Sequence, residues 1–272
     1  VTVIEGATAL GREDPEAAAM LLAKLRAEGV QVLEGAGVVQ VSGRAGALNV
    51  TLDNGSVHEG THLLLAVGRK PNLERLNLDA AGIACTKAGV TVDDRLRTSN
   101  RRAYAIGDVA GQGQFTHLAG YHGGVVIRSM LFALPARARA DHIPRVTYTD
   151  PELAQVGLTE AEARVAHGAA LQVIRLGYDA SDRAQAEGRT EGFIKLMVLK
   201  GRPVGVTLAG TGAGELIALW AMMLANRTKL AALAGTVLPY PTLNELMKRA
   251  AGAYFFPKLF DNPVVKRVVG LV

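Results

Sequence analysis

Several residue types are scarce in this sequence, and each scarcity narrows what the chain can be. Cys85 is the single cysteine among 272 residues, which excludes an internal disulfide framework and fits a reducing, cytoplasmic compartment. A lone cysteine usually packs as a small hydrophobe, so Cys85 is expected to be buried. Aromatic residues make up only 5% of the chain, and the formal charge of +5 is scattered in pairs such as Arg101 with Arg102 and Lys266 with Arg267. Nucleic-acid recognition calls for a basic stripe with stacking aromatics, so no nucleic-acid partner is expected. The longest apolar run, Leu216 to Ala225, falls far short of the roughly 20 residues that cross a bilayer. No charged-then-apolar leader opens the chain, which starts without Met in the strand-like Val1-Thr2-Val3-Ile4 and is therefore expected to begin inside a domain.

The apolar content of 49% over this length is enough for about two cores. Val1 to Glu5 reads as a buried strand. Asp14-Pro15-Glu16 supplies an N-cap and a first-turn proline, and Gly29 ends the helix. With a second strand from Val30 to Leu33, the opening is a parallel βαβ unit. Segments around Val38 to Val41 and Leu48 to Leu52 alternate, and Asp53-Asn54-Gly55 predicts a hairpin turn. His62 to Val67 reads as another buried strand ending at Gly68, and Ala103 to Ile106 as a strand leading into Gly107-Asp108. A helix is expected from Leu118 to Leu134, followed by an Ala/Arg-rich linker to Asp141. Beyond it, Thr159 and Glu162 form a capping box, strands are expected near Val173, Phe193 to Leu199 and Pro203 to Leu208, and an apolar helix over Glu215 to Asn226. The fold class is α/β, with the remainder of Rossmann-like nucleotide-binding domains followed by an α+β unit.

Three places in the chain suggest chemistry. An acid after a strand of a dinucleotide-binding fold, here Glu5, accepts hydrogen bonds from ribose hydroxyls and repels a 2′-phosphate; an ordinary surface glutamate is the equal alternative. Gly210-Thr211-Gly212-Ala213-Gly214 imitates a phosphate loop, but its spacing places Glu215 where the third glycine belongs, so a tight strand-to-helix turn is expected. Asp108, after Gly107, stands between a strand and a helix, where a carboxylate can accept hydrogen bonds from sugar-like hydroxyls.

Ala66-Val67-Gly68-Arg69-Lys70-Pro71-Asn72 and Ala103-Tyr104-Ala105-Ile106-Gly107-Asp108-Val109-Ala110-Gly111 together resemble the linked flavin motifs of the FAD-dependent pyridine nucleotide-disulfide oxidoreductases. Thr149-Asp150-Pro151-Glu152 with Val156-Gly157-Leu158-Thr159, and Tyr240-Pro241-Thr242-Leu243-Asn244-Glu245, resemble later segments of that family in the same order. The resemblance implies that residues 1–68 belong to a NAD(P)-binding domain, 69–140 to a FAD-binding domain and 141–272 to an interface domain that forms homodimers. It implies that Glu5 holds the nicotinamide nucleotide's ribose, favouring NADH, although Arg12 leaves NADPH open. Ala66, Val67 and Gly68 would mark the crossover between domains, Gly107 and Asp108 would hold the flavin's ribityl chain, and the backbone at Phe115 and Thr116 would approach the ring system.

Disulfide-reducing members of that family resemble this stretch but carry His where Tyr240 stands, held by a Glu at the position of Glu245. A phenol titrates near 10 and an imidazole near 6.5, so Tyr240 is poorly suited to shuttle a dithiol proton. Tyrosine here is similar to mercuric reductases, which end in a cysteine pair where this chain reads Val269-Gly270-Leu271-Val272. The acceptor, a disulfide, another small molecule or a metal ion, stays open. Tyr240 and Glu245 are the candidate catalytic pair. An interface tyrosine and a capping box from Thr242 to Glu245 are the structural alternatives. No spacing around His117 or His122 makes a metal site, and packing or surface roles are expected of both. Trp220, Leu216, Leu219, Met223 and Leu224 read as core or dimer contact. The mixed apolar and basic stretch from Tyr254 onward reads as a docked terminal segment rather than a membrane-surface helix. The resemblance also implies that the redox cysteine pair and the FAD pyrophosphate loop lie upstream of Val1. The chain alone is then expected to hold flavin poorly and turn over no substrate; the alternative is a non-catalytic dimerisation module.

Overall fold

The computed structural model describes residues 1–260 and 262–270. In chain order the elements are β1 (Thr2–Glu5), α1 (Pro15–Ala27), β2 (Gln31–Glu34), β3 (Val38–Arg44), β4 (Ala47–Leu52), β5 (Val57–Gly60), β6 (Cys85–Thr86), β7 (Gly89–Val90), a 3₁₀ turn (Gly107–Ala110) and α2 (Thr116–Leu131). There follow β8 (Arg145–Thr147), β9 (Glu152–Gly157), α3 (Glu160–His167), β10 (Gln172–Gly177), α4 (Asp182–Glu187), β11 (Gly192–Leu199), β12 (Arg202–Gly210), α5 (Ala213–Ala225), α6 (Leu230–Ala234), α7 (Asn244–Ala253), α8 (Phe256–Phe260) and α9 (Pro263–Val269). Two compact units result, Val1–Leu63 with Pro144–Val272, and Leu64–Ile143.

In the first unit β1 and β2 pair in parallel, with Ile4 opposite Leu33 and Glu5 opposite Glu34, across α1. Asp14 caps that helix by accepting from the Glu16 and Ala17 amides at 3.0 and 3.4 Å, Pro15 occupies the first turn, and Gly29 follows the end at φ +87°. The βαβ opening forms as expected, but β1 is not buried: Val1 is 92% and Val3 42% exposed. Its one strand neighbour among the described residues is β2, so the apolar side chains gain little cover. The meander β3-β4-β5 turns at Asp53-Asn54-Gly55, where Gly55 takes φ +81°.

The later part of this unit is an antiparallel sheet ordered β10-β11-β12-β9-β8. Side chains alternate between its faces. Ile194, Leu196 and Val198 of β11 face α5, α6 and α7 around the fully buried Trp220, while Phe193 meets Ala17 and Leu21 of α1 and Met197 meets Ala163 of α3. Burying Leu21, which is 1% exposed, contributes about 2 kcal/mol. Leu216, Trp220, Met223 and Leu224 are therefore core.

One row on the α1 face is polar from edge to edge. Arg175 stands opposite Lys195, Lys195 opposite Thr207, Thr207 opposite Gln155 and Gln155 opposite Arg145. In the middle the buried Thr207 hydroxyl donates to Gln155 at 2.5 Å. The cations meet acids at the starts of α1 and α3: Arg175 reaches Glu16, Arg145 reaches Glu13, and Lys195 reaches Asp14 and Glu16 at 2.9 Å each and Glu160 at 3.2 Å. Burial alone pushes the Lys195 ammonium down, but its hydrogen bonds to Glu16 and Asp14 outweigh this and hold its pKa above the ordinary lysine value.

Two expected strands, one at the start of the second unit and one within it, do not form. Residues 62–68 form no strand, and Leu64, Leu65 and Val67 are 88%, 72% and 93% exposed. Ala103 to Ile106 contributes a single bridge, Tyr104 to Arg97. A strand needs a neighbour to satisfy its backbone, and no described segment pairs with either stretch in a ladder. Cys85, expected to be buried, is exposed: its two-residue strand β6 is exposed throughout and, among the described residues, pairs only with β7. The small core here gathers Val90, Ala105 and Ala110. Among the described residues no helix is long and apolar enough to cross a membrane.

Candidate functional site

The second unit brings the two motif segments together. Arg69, next to Gly68, donates through Nη2 to the Gln114 carbonyl at 2.9 Å, and Gln114 Nε2 donates back to the Arg69 carbonyl at 3.2 Å. Ala66, Val67 and Gly68 are thereby tethered near Phe115 and Thr116, and all three are exposed. Gly107 enters the 3₁₀ turn at φ +65°, a left-handed conformation that suits glycine. A Cβ there would sit 2.9 Å from the Ala119 Cβ, so the turn lies directly against α2. Asp108, on that turn, is exposed, and its carboxylate has no partner among the described residues. Phe115 precedes the first turn of α2 and provides no side-chain cap, so the positive end of the helix dipole is not neutralised locally. Phe115 stacks on His117, with centroids 5.2 Å apart. An acceptor for hydroxyls, a close-approach glycine and an uncapped helix start within one unit fit the polyol and ring edge of a flavin.

In the first unit Glu5 closes β1 and accepts the Ala7 amide through Oε1 at 2.9 Å. Tyr240, a candidate catalytic residue with an interface tyrosine as the alternative, is 68% exposed on this chain. The charge of Asp182, with a smaller contribution from Glu245, holds the phenol above its ordinary value. Asp182 also pairs with Arg249 Nη2 at 3.2 Å. The capping box does not form: Leu243 is the N-cap of α7, and the Thr242 hydroxyl donates to the Pro239 carbonyl at 2.8 Å instead. With that hydroxyl already engaged, Glu245 acts on Tyr240 through charge.

The Gly210 to Gly214 turn is a strand-to-helix connection, as its spacing indicates. Glu152 Oε2 accepts the Gly214 amide at 2.7 Å, so the chain's own carboxylate occupies the anion-seeking start of α5. The carbon of a side chain at Gly210 would lie 2.4 Å from the Tyr178 ring, which accounts for that glycine. Among the described residues no three His, Cys, Asp or Glu side chains gather to hold a metal ion.

Sequence reading missed three residues at these sites. His122 is 1% exposed and meets the Gly107 turn; its signal was an imidazole four residues after Leu118 and three before Val125 on the apolar face of α2. Asp182 and Arg249 carried no signal, because they join Tyr240 only through the packing of α4 and α7.

Residues 1–123 match the pyridine nucleotide-disulphide oxidoreductase family, and residues 143–251 match that family's dimerisation domain. The chain is 37% identical over 259 residues to mercuric reductase of Acidithiobacillus ferrooxidans, covering 93% of this chain and 46% of that protein. It is 34% identical over 259 residues to dihydrolipoyl dehydrogenase of Rhizobium etli, covering 92% and 53%. LpdA from Mycobacterium tuberculosis superposes with a TM-score of 0.87 at 28% identity, covering 93% of this chain and 56% of that one. The HOCl-induced flavoprotein disulfide reductase RclA from Escherichia coli superposes at 0.82 and 29% identity, covering 93% and 59%. The chain spans about half the length of the curated relatives it matches.

Proposed function

Because the chain belongs to the pyridine nucleotide-disulphide oxidoreductase family, we propose that it is the nicotinamide, flavin-ribityl and interface portion of a FAD-dependent reductase acting from NAD(P)H on a disulfide or metal-ion acceptor. The observation that carries this reading is the exposed Asp108 carboxylate on the Gly107 turn, without a partner among the described residues, in the same unit as the Ala66 to Arg69 segment tethered to Gln114. Residues 1–68 then form part of the nicotinamide domain, 69–140 part of the flavin domain, and 141–272 the surface of a homodimer. FAD and NAD(P)H supply the redox chemistry when bound, as hydride passes from nicotinamide to flavin and electrons pass on to the acceptor.

The protein's own contribution is to bind and orient. Asp108 would accept from the ribityl hydroxyls of a bound FAD, Gly107 would let the backbone come close, and Phe115 and Thr116 would lie at the end of α2 nearest the ring system. Glu5 accepts from the nucleotide ribose and repels a 2′-phosphate, which favours NADH. Tyr240 stands at the acceptor end and is no neutral-pH base, since the charges of Asp182 and Glu245 raise its phenol further above the ordinary value. The enzyme works in the cytoplasm, without nucleic acid, and this chain by itself turns over no substrate.

Titrating FAD into the protein and following flavin fluorescence tests the reading. Asp108→Ala should weaken FAD about tenfold or more, the loss expected when hydrogen bonds to a charged acceptor disappear. Equal affinity of variant and parent overturns the assignment. A chain that dimerises but takes up neither FAD nor NADH is instead a non-catalytic dimerisation module.

A further inference from the structure

The apolar face of α2 runs Leu118, His122, Val125, and an imidazole at its centre is costly to bury unless its nitrogens find partners. Nδ1 has one: the Gly107 N–H donates to it at 3.2 Å, across 15 residues of sequence. Burial pushes the imidazole below its ordinary value, so at neutral pH the ring is uncharged and Nδ1 is free to accept while the proton sits on Nε2. Gly107 is itself buried, and its amide would be left unsatisfied without this acceptor. Ala119, three residues before His122 on the same helix, closes the other side of the turn, because the space a Gly107 Cβ would need is within 2.9 Å of its Cβ. Contact and hydrogen bond therefore fix the turn at its first residue, one position before Asp108.

We infer that His122 is the positioning residue of the Gly107–Asp108 turn, its Nδ1 accepting the Gly107 amide and so aiming the Asp108 carboxylate at its ligand. The ligand, a flavin polyol, rests on the reading above; the bracing of the turn does not. Among the described residues Asp108 has no side-chain partner of its own to fix its direction, so the backbone beneath it must. An acceptor at position 122 does this from the rigid part of a 16-residue helix, in keeping with the need to hold binding groups on regular elements.

The test uses the whole chain. In flavin-free protein labelled with ¹⁵N-histidine, His122 should show a proton-free Nδ1 and a protonated Nε2, and the Gly107 amide should exchange slowly with solvent. His122→Leu removes the acceptor at similar volume; Gly107 exchange should rise, and FAD should bind about tenfold more weakly, as for one lost hydrogen bond to a buried amide. His122→Asn, which returns an oxygen near the place of Nδ1, should restore both. A proton on Nδ1 in the parent protein overturns the inference even if His122→Leu fails to fold. So does an unchanged FAD affinity in a folded His122→Leu, which would reduce the residue to packing. A parent protein that shows the ring and amide signatures but takes no FAD refutes the flavin reading and leaves His122 as the brace of the turn.

Discussion

Replacing Lys195 by Met tests how the polar row holds α1 on the sheet. Methionine keeps the length and apolar stem of the side chain but removes the charge. Lys195 is 7% exposed at its side chain and Asp14 1%. Two of its three acids keep another cation, since Glu16 retains Arg175 and Glu160 retains Arg164. Among the described residues Asp14 keeps only the amides of its own helix, at 3.0 and 3.4 Å. The loss is therefore close to that of one buried carboxylate stripped of its counter-charge, about 3 kcal/mol, at the low end for a broken buried pair because those two amides remain. Trp220, the single tryptophan of the chain, lies fully buried in this unit, so its fluorescence during urea unfolding reports this unit alone. Asp14→Asn removes the charge but keeps a capping oxygen, and in combination with Lys195→Met it should recover about 2 kcal/mol, the coupling expected of contacting groups. A loss below about 1 kcal/mol at unchanged slope, or additive behaviour of the two substitutions, would refute the argument that the ion pair, rather than the apolar contacts beside it, fixes α1.

The same cluster predicts a pH profile. Burial pushes the carboxyls of Glu16 and Glu160 up, but Lys195 with Arg175 or Arg164 carries both below the ordinary 4.5, so their stabilisation is present above about pH 4.5 and is lost as pH falls through the lowered values. Lys195, raised above 10.5, contributes below that pH and loses its contribution as pH rises through its folded value; melting temperature followed by Trp220 should show both limbs, and Lys195→Met should lose the alkaline one. Gly210→Ala must place a carbon 2.4 Å from the Tyr178 ring at φ +153°, so it should cost about 3 kcal/mol by the same fluorescence assay; a loss under 1 kcal/mol would show that Tyr178 moves aside freely. Glu5→Gln should weaken NADH several-fold and narrow its advantage over NADPH in equilibrium titrations, because one ribose acceptor loses its charge. An unchanged ratio would assign nucleotide choice elsewhere.

Elements written in short stretches of sequence were legible. Asp14-Pro15 starts α1, Thr159 and Glu162 close a capping box, and Asp53-Asn54-Gly55 turns a hairpin, because partners three residues apart or fewer meet in almost any context. Thr242 and Glu245 have the same spacing and fail, since the hydroxyl finds the Pro239 carbonyl first. Residues 62–67 and 103–106 have strand composition but lack the neighbour that would make a ladder, and composition does not reveal a neighbour.

Order and spacing of four motifs were enough to identify the family, and the same reading marked Asp108, Gly107 and Glu5 as the ligand contacts proposed above. Only the tertiary structure could join Lys195 to Asp14 across 181 residues and His122 to Gly107 across 15. Each of those pairings depends on which helix face or sheet row packs against which. That choice is made by burial of apolar surface over the whole unit, and the polar partners meet as its consequence.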